Sequence, residues 1–166
     1  ETIMAKFYPP QYVAQRLENL ANKHNCPHVR ISGAEPFLGE ASARHVLNIL
    51  RTIKKDVIIE TNGIMLGFHP EIVEKLSKCR NIEYVRIDLK GHDESSFEAI
   101  TGANGELYQL QQKAIVQCRL QRVPLVISSL APLVDEEMVR NKWGDVEIED
   151  MHPYKGVKKR LKERNI

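Results

Sequence analysis

"HVRISGAEPFLGEASARHVLNILRTIKKDVIIET" (28–61) contains the unit from which the whole chain is built. A short run rich in β-branched residues, 28–32, stops at Ser32, and a loop with Gly33, Glu35 and Pro36 follows. The next stretch sets Val46, Leu47, Leu50 and Ile53 on one helical face, with Ser42 read as its cap. A second apolar run, 56–61, completes the unit. Strand, helix and strand joined at this length make a parallel pair with a right-handed crossover.

The alternation continues in both directions. "EYVRIDL" (83–89), "PLVISSL" (124–130) and "DVEIED" (145–150) read as further strands. A helix beginning near Pro10 carries Val13, Leu17, Leu20 and Ala21 on one face. Another starts at Pro70, a good first-turn residue, and aligns Ile72, Val73 and Leu76. A last one carries Leu107, Leu110, Ala114, Ile115 and Cys118. This order predicts an α/β fold with a parallel sheet. It leaves open whether the sheet is doubly wound or curved toward a barrel; in both, ligands gather at the carboxyl ends of the strands. One connection is irregular. Only 131–144 separate the last two runs, with Pro132 and Gly144 among them. That is cramped for a crossover, which needs about 10–12 residues. The tail "HPYKGVKKRL" (152–161) also turns abruptly from loop to helix. Residues absent near 131–144 and 156–160 would account for both.

The composition bounds the function. At 166 residues, 42% hydrophobic and 28% charged, the chain reads as one soluble globular domain over 1–166. A formal charge of +2 creates no general attraction for nucleic acid. The basic tail (155–166) reads as a solvated helix, since Glu163 interrupts it and no aromatic residue follows Tyr154. No apolar stretch is long enough to cross a bilayer, and no signal peptide opens the sequence. Three dispersed cysteines, Cys26, Cys79 and Cys118, argue against a disulfide framework and for a reducing, cytoplasmic setting, and none reads as a metal ligand. "HNCPH" (24–28) alternates His24, Cys26 and His28 but lacks a fourth ligand for zinc.

Polar groups crowd the strand ends. Ser32-Gly33-Ala34-Glu35-Pro36, Glu60-Thr61-Asn62-Gly63 and Asp88-Leu89-Lys90-Gly91 end the first three strands. Ser128-Ser129 end the fourth, and the fifth runs into His152-Pro153-Tyr154-Lys155-Gly156. Glycine lets a ligand approach the backbone, and charged neighbours can pair with a zwitterion. Singly, each has a plainer reading: Asn62-Gly63 as a turn, Asp88 as a helix cap, Lys90 as a solvated cation. Their coincidence at one edge points to a site. Lys90 could also be a Schiff-base lysine, which makes a cluster-free barrel lyase or aldolase an alternative.

These segments resemble a known family. "SGAEPFL" (32–38) is similar to the Gly-Gly-Glu-Pro segment of radical S-adenosylmethionine (SAM) enzymes, and "IETNG" (59–63) to their Thr-Asn-Gly strand end. "VRIDLKGHDESSFEAITG" (85–102) resembles the Asp-Leu-Lys stretch of glycyl-radical activating enzymes such as the pyruvate formate-lyase activating enzyme. "IEDMHPYKG" (148–156) resembles their Leu-Pro-Tyr-His segment, with Lys155 where they have His. The resemblance implies a partial (βα)6 TIM-like barrel whose first strand is missing here, holding SAM and a 4Fe-4S cluster. It implies that Gly33, Ala34, Glu35 and Pro36 cradle the methionyl end of SAM. Asp88 and Lys90 would hold its charged groups or ribose, Glu60, Thr61 and Asn62 would line the next strand end, and Lys155 would complete the set. The implied chemistry is an oxidoreductase reaction in which a 5′-deoxyadenosyl radical takes hydrogen from a substrate. Implied partners are a glycyl-radical enzyme, or another protein or small substrate, and an electron donor such as flavodoxin or ferredoxin.

The sequence also departs from the family. Its hallmark Cys-x-x-x-Cys-x-x-Cys is absent, so this chain alone is expected to bind no cluster and to be inactive. Either those residues lie outside the sequence at hand, which is the favoured reading, or they are lost. Ala34 replaces the second Gly, a small change only if its φ stays negative. A non-catalytic SAM- or nucleotide-binding domain is the remaining alternative.

Overall fold

The computed structural model describes residues 6–151 together with 158–159 and 162–163. Strands β1 (His28–Ile31), β2 (Asp56–Thr61), β3 (Ile82–Asp88), β4 (Leu125–Ala131) and β5 (Glu147–Asp150) form one sheet in the order 1-2-3-4-5. Every neighbouring pair is parallel. That order decides the architecture. A doubly wound sheet reverses its strand order at a switch point and is covered on both faces. Here each crossover steps one strand onward, so successive connections fall on one side. Helices α1 (Pro10–Lys23), α2 (Glu40–Thr52), α4 (Pro70–Ser77) and α6 (Leu107–Leu120) pack in sequence, α1 on α2, α2 on α4 and α4 on α6. The result is a partial TIM-like barrel, an arc of parallel strands with an outer layer of helices.

Strand periodicity sorts the two faces. Val57, Ile59, Val85, Ile87 and Ile127 point outward into one core with Val46, Leu50, Ile72, Leu76, Ala114 and Ile115. Ile58, although 2% exposed, lies outside that core because it faces the other way. Glu60, Arg86 and Asp88 belong by alternation to this inner face. An ion-pair belt crosses it: Arg30 Nη1 meets Glu60 at 2.7 Å, and Arg86 Nε stands 3.8 Å from the same carboxylate. Arg86 Nη1 also bonds Glu147, and its Nη2 reaches Glu149 at 2.5 Å, both on β5. Burial would lower the pKa of Arg86, but these carboxylates outweigh it and hold the guanidinium above its ordinary value.

Local details differ from the sequence expectation, and α5 (Glu94–Thr101) is a helix it does not foresee. Ser42 is not the cap of α2 but its third residue. Its Oγ accepts from Gly39 N at 2.9 Å and donates to Gly39 O at 2.8 Å, closing the first turn from inside. On α1 the buried line runs through Ala14 and Ala21, with Val13 and Leu17 partly packed, whereas Leu20 is 45% exposed. An unexpected short helix, α3 (Ile64–Phe68), packs on α6, where Gly67 lies against the Leu110 carbonyl. The segment 131–144 does hold a helix, α7 (Glu136–Trp143), capped by Asp135, whose side chain accepts from Met138 N. Two turns suffice because β4 runs on to Ala131 and β5 starts only at Glu147. Among the described residues, no helix is long and apolar enough to cross a membrane.

Candidate functional site

At the carboxyl edge, the ends of β1, β2 and β3 surround a cleft of about 480 Å³. The structure brings seven expected residues to its wall: Gly33, Ala34, Glu60, Thr61, Asn62, Asp88 and Lys90. Lys155 and His152 lie outside the described residues. Glu35 and Pro36 do not line the cleft. Glu35 instead acts as a strap. Its Oε1 accepts from Phe37 N (2.9 Å) and Thr61 Oγ1 (2.6 Å), and its Oε2 accepts from Asn62 N (2.7 Å). One carboxylate thereby ties the loop after β1 to the end of β2. This is why an acid follows the strand so closely: its charge satisfies backbone N–H groups that have left the ladder.

The strap holds a turn in which both Gly33 (φ +89°) and Ala34 (φ +47°) are left-handed. The negative φ on which Ala34 could replace Gly harmlessly is not what the backbone adopts. At Gly33 the requirement is conformational, since a Cβ there would meet nothing within 4 Å. The open space leaves the turn's backbone free to receive a ligand. On the facing wall, Lys90 Nζ meets Asp88 Oδ2 at 2.5 Å, with both side chains part-exposed. The Schiff-base reading of Lys90 needs a desolvated, unpaired amine; the structure gives it a carboxylate partner. Asp88 caps no helix. That role falls to Asp93, whose side chain accepts from Ser96 N at the start of α5 (Glu94–Thr101). Asn62 does make the expected turn, its Oδ1 accepting from Ile64 N at 2.9 Å.

Sequence reasoning missed the rest of the wall, Gln111, Phe97 and Thr101 together with Ile64 and Ala103. Gln111 was legible in principle. It lies one helical turn from both Leu107 and Ile115, inside the apolar arc of α6, and a polar residue there marks a buried partner. Phe97 and Thr101 carried no such signal, because only the packing of α5 brings them to the edge.

The cysteines lie elsewhere. Cys26 precedes β1, Cys79 precedes β3, and Cys118 sits in the last turns of α6, which lead to the start of β4. All three are therefore at the amino edge of the sheet, opposite the cleft. Cys118 is buried, and burial pushes its thiol up to about 12, which keeps it protonated and inert. Among the described residues, no three His, Cys, Asp or Glu side chains gather as a metal site, the His24–Cys26–His28 segment included.

A family model for the radical SAM superfamily matches residues 2–141. The chain belongs to the radical SAM superfamily. It is also 31% identical, over 94 residues, to a probable GTP 3',8-cyclase of Thermoplasma volcanium. That match covers 54% of this chain and 26% of the relative, so the chain spans about a quarter of the curated protein it resembles. Radical SAM enzymes generally use SAM and a 4Fe-4S cluster, and the two groups fare differently here. The cleft, its open left-handed turn and its ammonium–carboxylate pair fit a zwitterionic ligand such as SAM. The cluster does not fit: all three cysteines stand at the wrong edge, so this radical SAM chain offers it no thiolates beside the cleft.

Proposed function

We infer that the cleft at the carboxyl edge is the SAM site of a radical SAM enzyme. The observation that carries this reading is the left-handed, open turn at Gly33 and Ala34, tied down by Glu35, in the same cleft as the Asp88–Lys90 pair. A methionyl group has an ammonium and a carboxylate, and this wall offers a partner for each: Asp88 for the first, Lys90 for the second. Backbone groups of the turn add further contacts without a side chain in the way. The chemistry belongs to the cofactor, and this chain's part is to bind and orient SAM.

Two finer readings concern the substrate. The series "ETNG", "DLKG" and "HPYKG" favours the activating-enzyme type, acting on a glycyl-radical protein with flavodoxin or ferredoxin as electron donor. The Thermoplasma volcanium relative favours a purine nucleotide such as GTP. Anaerobic turnover of the complete enzyme separates them, according to which substrate stimulates release of 5′-deoxyadenosine.

The SAM site itself is testable on this chain. Titrating SAM into the 15N-labelled protein should shift amides of residues 32–36, 61–63 and 88–91, and Lys90→Glu should abolish saturation. Shifts absent there, or confined to the groove between α2 and α4, would sink the assignment.

A further inference from the structure

We propose that Gln111, a residue of the outer helical layer, is a positioning residue for the SAM cleft, acting as a side-chain rung between the ends of β2 and β3. The proposal rests on the SAM reading above. Pairing of these strands ends at Thr61 opposite Ile87. Just beyond, the backbone of Asn62, Asp88 and Lys90 turns away to form the cleft, and its buried polar groups need new partners. Gln111 is fully buried, at 0% exposure, and partners three of them. Its Nε2 donates to Asn62 O at 2.6 Å and to Asp88 O at 3.1 Å. Its Oε1 accepts from Lys90 N at 3.2 Å.

A primary amide has two donor hydrogens and one acceptor oxygen, and each is used here. No other residue type reproduces the set. Glutamate would turn a second oxygen toward two carbonyls, and methionine of similar shape would leave three backbone groups unpaired. One planar group therefore fixes the separation of the two strand ends at the level where Asn62 faces Asp88 and Lys90. Since those residues meet the ligand from two strands, a shift between the ends misaligns both walls together. Gln111 acts through them and need not touch SAM.

The experiment measures the SAM dissociation constant and the thermal midpoint of wild type, Gln111→Met, Gln111→Glu and Tyr108→Phe, at pH 8 and pH 5. Tyr108→Phe is the control: it removes a bond from the same helix, Tyr108 Oη to His92 O at 2.8 Å, on a residue that does not line the cleft. We expect both Gln111 variants to bind SAM at least about tenfold more weakly at pH 8, about 1.4 kcal/mol. Tyr108→Phe should bind as wild type despite a lowered midpoint. Relative to wild type at the same pH, Gln111→Glu should regain affinity at pH 5, where protonation restores one donor; Gln111→Met should not. Lowered midpoints with wild-type affinity would overturn the positioning role and leave the SAM site standing. So would failure of both Gln111 variants to fold, which would make the residue structural. Failure of wild type to bind SAM would overturn the site and the rung together.

Discussion

Ala34 is a left-handed residue carrying a Cβ, in a turn where its neighbour Gly33 adopts the same hand without one. The left-handed region costs a non-glycine residue roughly 1–2 kcal/mol, and glycine's extra freedom in the unfolded chain offsets about half of that. Ala34→Gly should therefore stabilise the protein by about 0.5–1 kcal/mol, read as a higher urea midpoint at unchanged slope. A loss of stability would mean that the turn is not left-handed at this position. The sequence marks the turn through Gly33, Glu35 and Pro36, yet nothing local in it tells a ligand-facing acid from a strap at Glu35. Its real partners, Thr61 and Asn62, are 26 and 27 positions away, and only the parallel pairing of β1 with β2 brings them within reach.

Among the elements, α3 was the least legible. Its five residues (Ile64–Phe68) are too few to show a 3.6-residue period, and they follow an Asn-Gly pair that reads as a turn. Its place is set by close approach to α6. A Cβ built on Gly67 would lie 1.9 Å from the Leu110 carbonyl oxygen, which belongs to backbone and cannot rotate aside. Helix propensity alone would make Gly67→Ala stabilising by nearly 1 kcal/mol. The contact reverses the sign, and we expect a loss of more than about 2 kcal/mol in denaturant unfolding. Stabilisation would show that the two helices are not in contact. The longer helices were predictable because each buries a broad stripe: Val46, Leu47 and Leu50 on α2 are buried as their spacing required, and Ile53, just past its end and extended, is buried too. At α1 the same rule misjudges Leu20, since the buried line runs through small residues, Ala14 and Ala21.

Across the whole molecule, the inner face is held by charge where the outer face is held by apolar packing. Arg86 reaches from β3 past β4 to two glutamates on β5, a chord that curvature of the sheet shortens. Arg86→Met cuts the belt between β2 and β5 while keeping bulk, leaving Glu60 with Arg30, and Glu147 and Glu149, each more than half exposed, can return to water. The cost should then fall below the 3–5 kcal/mol usual for a broken buried pair, at about 1–2 kcal/mol. Amide exchange should quicken on β5 and not on β1 or β2; uniform quickening would deny the belt a local role. The sequence by itself determined the parallel α/β order, the helix faces and the crowding of Gly, acid, amide and amine at strand ends. Those are local patterns, set by period and by neighbours a few residues apart. Only the tertiary structure decided between a barrel-like arc and a doubly wound sheet, since strand order depends on which crossover lands beside which strand. It also turned Glu35 into a strap, paired Lys90 with Asp88, put the cysteines at the opposite edge and drew Gln111 into the cleft wall. Each of these depends on distance between residues remote in the chain, which periodicity does not encode.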